Sequence, residues 1–121
     1  MKRDMDLVRR ILKDLSEASG PLKASAFVDE ATTFEEVCYH FRIMDEAGLI
    51  KATVTYAGNA PYFAVASELT WEGNDFLASV ESDTIWNKVK SRVAKATGDA
   101  SFSVFKAVAV KMTEAAVLAG M

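Results

Sequence analysis

Cys38 and His40 are the only cysteine and the only histidine in the 121-residue chain, and they stand two positions apart. A thiol beside an imidazole is a pairing that nucleophilic catalysis uses, the ring acting as base toward the sulfur. Around them, from Phe34 to Ala47, the apolar residues Val37, Phe41 and Met44 recur at helical spacing. On a helix, positions i and i+2 lie about 200° apart round the axis, so these two side chains diverge and make no dyad. Cys38 therefore reads as a small core residue beside the apolar stripe. His40 lies at the stripe edge and reads as a partly buried imidazole with one hydrogen bond, contact with a ligand being the alternative.

The remaining chemical candidates are weaker. Glu35 and Glu36 could form an acid–base pair, but they occupy a first helical turn, where the macrodipole favours negative charge whatever the function. Gly48, Gly58 and Gly73 fall in separate elements without phosphate-loop spacing. One cysteine and one histidine cannot supply the four ligands of a structural zinc site. No catalytic residue, metal, cofactor or small-molecule substrate is expected, and the chain reads as non-enzymatic.

Binding residues are easier to find. With Val37, Phe41 and Met44 turned inward, the outward face of residues 34–47 holds Glu35, Glu36, Tyr39, Arg42, Ile43 and Glu46. Three acids against one arginine suit a protein partner better than phosphates, because like charges oppose each other across an interface. Tyr39, Ile43, Glu35 and Glu36, joined by Tyr62 from the uncharged stretch Ala52–Ser67, are the candidates for protein contact. Lys88, Arg92 and Lys95 recur at i, i+4 and i+7 and form a basic ridge. With Arg42 and His40 they are the candidates for nucleic acid. A solvated face is the plainer reading of that ridge.

Charge distribution supports the division. The net charge is −3, yet residues 30–81 hold two basic and nine acidic groups, and residues 82–121 six basic and three acidic. Half of the residues are apolar and 26% are charged, which suits a globular chain with one main core and excludes wholesale disorder. A lone cysteine excludes an internal disulfide. Charges interrupt every long apolar run, MKRDMDLVRR included, so neither a signal peptide nor membrane association is expected and the address reads as cytoplasmic.

The elements that position these residues follow from periodicity. Leu7, Val8, Ile11, Leu12 and Leu15 mark an amphipathic helix over residues 4–18, ended by Gly20 and Pro21. Residues 23–28 read as a brief strand or extended link. Thr33 and Glu36 form a capping box opening the helix 34–47, and Gly48 closes it. Alternation over 49–56, a turn at Gly58–Pro61 and a β-prone run over 62–66 predict a hairpin. Thr70 caps a helix holding Trp71, Phe76, Leu77 and Val80, and Asp83 or Thr84 caps the next. Residues 102–118 are apolar nearly all round, so that helix needs covering. Pairing of Phe105, Val108, Met112 and Ala115 with a second copy is expected to cover it, giving a homodimer; a core helix packed within the single chain is the alternative.

This order of elements resembles a winged helix-turn-helix domain. Val37-Cys38-Tyr39-His40-Phe41, with Met44 and the Ala47-Gly48-Leu49-Ile50 exit, resembles a recognition helix and its strand entry; Leu69-Thr70-Trp71-Glu72-Gly73 resembles the segment after the wing. MKRDMDLVRRIL and DTIWNKVK are similar to the ends of a small family of bacterial and phage proteins known as a domain of unknown function. Periodicity alone adds a C-terminal helical extension, 82–121, to a winged-helix domain over 1–81. The resemblance implies an α+β, mostly α, fold with a two-stranded wing. It also implies a DNA-binding regulator of bacterial or phage origin. An acidic adaptor that engages or inhibits a host protein complex is the alternative. Between Pro21 and Thr33 there is little room for the helix that normally supports a recognition helix.

Overall fold

The computed structural model describes residues 1–97 and 102–120. The five-residue stripe near the start winds into α1 (Met5–Glu17), where Leu7, Val8, Ile11, Leu12 and Leu15 are all buried. The Asp4 carboxylate caps it, accepting the backbone N–H of Asp6 at 2.9 Å and of Leu7 at 3.3 Å. Two amides that would otherwise lack partners are thereby satisfied.

The stretch expected to be extended is only briefly so. β1 (Leu22–Lys23) is followed by a 3-10 turn over Ala24–Phe27, which occupies the space where little room for a helix was expected. In a 3-10 helix residues three apart eclipse one another. Ala24 and Phe27 therefore share one face, and both are buried. The Phe27 ring meets Phe41 edge to face, with centroids 5.8 Å apart.

α2 (Phe34–Glu46) begins at the capping box predicted for it. Thr33 Oγ1 accepts the Glu36 N–H at 3.1 Å and the Glu36 carboxylate accepts the Thr33 N–H at 3.3 Å. Gly48 ends the segment with φ of +77°, a conformation side chains rarely adopt.

β2 (Ile50–Ala57) and β3 (Ala60–Leu69) form the hairpin, and the antiparallel sheet runs β1-β3-β2. Its loop is tighter than expected, two residues long, with Gly58 at φ of +65° in the first central position, as a type II′ turn requires. Pro61 consequently lies within β3, not in the turn. It is tolerated because β1 reaches only Val65 and Ala66, leaving that part of β3 paired on one side. α1 and α2 pack on the sheet, which contributes Ile50, Ala64 and Ala66 to the core.

α3 (Trp71–Val80) opens where Thr70 Oγ1 accepts the Gly73 N–H at 3.0 Å. The chain divides within α3 into two compact units, Met1–Asn74 and Asp75–Met121. In the second, α4 (Asp83–Thr97) is capped by Ser82, one residue before the position expected: its hydroxyl accepts the Ile85 N–H at 3.4 Å. Gly98, expected to stop α4, lies outside the described residues. α5 (Phe102–Ala119) packs on α4, with the Trp86 and Phe105 ring centroids 5.0 Å apart. Thr113 Oγ1 donates to the Ser79 carbonyl at 2.8 Å. Among the described residues the protein is α+β and mostly helical, with five α-helices and one three-stranded antiparallel sheet.

Candidate functional site

The inward stripe of α2 is as its spacing implies. Val37, Phe41 and Met44 are buried, and so are Cys38 and His40. Burial pushes the Cys38 thiol up from its ordinary range, and the nearby Glu35 charge adds to the effect. His40 is 1% exposed, well inside the stripe edge expected for it. Its Nε2 accepts the Asp4 N–H at 2.9 Å and its Nδ1 meets the Glu36 carbonyl at 2.7 Å. Both ring nitrogens are thus engaged within the chain, and His40 offers neither to a nucleic acid nor to Cys38.

The outward face of α2 closes upon itself. Arg42 donates to Glu46 at 3.0 Å, and its guanidinium lies 5.4 Å from the Tyr39 ring centroid. The only cation of that helix is therefore already held by a carboxylate and an aromatic face. Glu35 is exposed, Glu36 is held by the capping box, and Tyr39 and Ile43 are half-buried. On the hairpin, Lys51 and Glu68 form a 3.3 Å ion pair across the strands near its base, whereas the uncharged outer part exposes Tyr56, Tyr62 and Phe63. Tyr62, at the second register shift, is 61% exposed.

Two cationic groups differ in how they are satisfied. On α1, Arg10 donates to Asp29 at 3.1 Å and stacks over Phe27, 5.6 Å from the ring centroid. On α4, Lys88, Arg92 and Lys95 are exposed along one side, and none forms an ion pair among the described residues. They border two adjoining open grooves of about 770 and 450 Å³ that share Lys88, Arg92 and Met112. Ile85, Val108, Met112, Ala115 and Ala116 supply apolar lining and Lys111 a fourth cation. No carboxylate lines either groove among the described residues.

Of the side chains expected to cover α5 against a second copy, Phe105 is consumed by Trp86 within its own unit. Val108, Met112 and Ala115 line the smaller groove. A ring stacked inside the unit cannot also fill an interface. Lys111 and Trp71 were not among the binding residues expected from the sequence. Trp71 stands 81% exposed at the start of α3, and its place directly after the Thr70 cap, off the stripe of Phe76, Leu77 and Val80, was the available signal.

The profile of a family described as "Hypothetical protein (DUF2513)" matches residues 2–99. The chain belongs to the DUF2513 family. An uncharacterised protein of Haemophilus influenzae (strain ATCC 51907 / DSM 11121 / KW20 / Rd) is 37% identical over 111 residues, covering 90% of this chain and 92% of the relative. No solved structure matches the DUF2513 chain significantly. Among its described residues, no helix is long and apolar enough to cross a membrane.

Proposed function

We propose that this DUF2513 protein is a non-enzymatic regulator of bacterial or phage origin that holds duplex DNA through α4. On this reading residues 1–81 are a winged-helix module with β2 and β3 as its wing, residues 82–121 are its helical extension, and the work is cytoplasmic. The observation that carries the proposal is the ridge of Lys88, Arg92 and Lys95, exposed on one side of α4 and without an ion-pair partner among the described residues. Each phosphate so neutralised releases condensed counterions, which is the main source of affinity for a duplex. α2 is a poorer candidate despite its recognition-helix pattern, because its outward face sets Glu35, Glu36 and Glu46 against the single Arg42 and like charges oppose each other across an interface. A titration of labelled duplex at low salt tests the reading with wild type and a Lys88→Ala/Arg92→Ala/Lys95→Ala triple variant. Losing three phosphate contacts flattens the slope of log affinity against log salt by about 2.7 and weakens binding at least tenfold. Equal affinity would remove the proposal.

A second reading rests on a separate observation, the acidic, tyrosine-bearing face of α2 together with Tyr62 at 61% exposure on the hairpin. It makes the protein an adaptor that engages or inhibits a host protein complex. Capture of a partner from nuclease-treated lysate, lost when Tyr39 and Tyr62 are both changed to alanine, would favour it over duplex binding.

A further inference from the structure

The outer face of α5 carries a regular pattern of exposed residues. Val104, Ala107, Lys111, Glu114 and Leu118 follow one another at intervals of three, four, three and four, and all five are exposed. That is the a/d spacing of a coiled-coil seam, with a places at 104, 111 and 118 and d places at 107 and 114. At 100° per residue the seam lies on the side of the helix away from Phe105 and Ala109, the two α5 residues buried among those described. Val110 and Val117 flank it and are exposed as well.

The charges within the seam choose the partner and its direction. In a parallel pair, a meets a and d meets d, which would set Lys111 against Lys111 and Glu114 against Glu114. In an antiparallel pair, a meets d, so Lys111 faces Glu114 of a second copy and Glu114 faces its Lys111. The same register sets Ala107 opposite Leu118 in both directions, small against large. No other charged residue lies on the seam. We propose that α5 pairs antiparallel with α5 of a second copy about a twofold axis, Lys111 and Glu114 forming two symmetric cross-helix ion pairs. The seam differs from the Phe105, Val108, Met112 and Ala115 surface first expected, and it stands independently of the duplex reading.

Sedimentation equilibrium of the full chain tests it, with thermal unfolding followed by circular dichroism to show that each variant folds. The wild type is expected to dimerise reversibly below roughly 100 µM. Lys111→Glu and Glu114→Lys each place like charges at both symmetric contacts and weaken the dimer at least tenfold. The exchanged double variant, Lys111→Glu with Glu114→Lys, restores both pairs and dimerises within about threefold of wild type. A monomeric wild type overturns the proposal, and so does a double variant that remains as weak as either single one.

Discussion

The Nε2 of His40 accepts the backbone N–H of Asp4 at 2.9 Å, tying the cap of α1 to the buried side of α2. Because Nε2 accepts, the ring proton is assigned to Nδ1, which donates to the Glu36 carbonyl at 2.7 Å. One imidazole thus joins the first residue before α1 to the first turn of α2, and its role in this fold is that of a clasp.

Replacing His40 with alanine removes both bonds and opens a void in the core. The expected loss is about 2–4 kcal/mol, read as a lower urea midpoint at unchanged slope. A midpoint equal to wild type would show that the clasp contributes nothing.

Gly73 allows the start of α3 to lie against the end of the loop before β2. A Cβ at this position would overlap the Leu49 carbonyl oxygen, a backbone atom that cannot swing away. The same carbonyl accepts the Thr70 N–H at 3.0 Å, so a shift also strains the cap of α3. Gly73→Ala is expected to cost more than about 2 kcal/mol, although alanine is the better helix former. Thermal unfolding of the variant checks this.

Cys38 is buried and its thiol is pushed up by desolvation and by Glu35. The thiolate is the reactive form, so a thiol reagent at neutral pH is expected to label the native protein at least tenfold more slowly than the denatured protein. Comparable rates would mean that α2 opens readily.

Asp29 is held below its ordinary range by the Ala31 N–H, with Arg10 assisting and partial desolvation opposing. A carboxyl lowered in the folded state contributes stability that is complete above its unfolded value near 4 and is lost as pH falls through the lower folded value. Asp29→Asn should therefore reduce the urea midpoint at pH 7 and make progressively less difference below about pH 4. A gap that widens with acid would contradict the assignment.

Most of the element plan was legible along the chain, because periodicity and caps are local. The five apolar residues of α1 and the Thr33–Glu36 box report spacing and single-turn chemistry, which neighbours cannot easily override. The misreadings came where tertiary packing chose between local options. Ala24–Phe27 is a 3-10 turn because Phe27 must meet Phe41, and Pro61 joins β3 because β1 ends before reaching it.

The binding residues divide in the same way. That Cys38 and His40 diverge, and that the face of α2 is acidic, follow from 100° per residue and the order of side chains alone. What spacing could not say is which charged and aromatic groups are already satisfied. Arg42 is consumed by Glu46, His40 by Asp4 and Glu36, and Phe105 by Trp86, whereas Lys88, Arg92 and Lys95 border open grooves. Periodicity decides which side of an element a residue lies on. Only the tertiary structure decides whether that side meets protein or water, because the partner comes from elsewhere in the chain and lies at no fixed sequence distance.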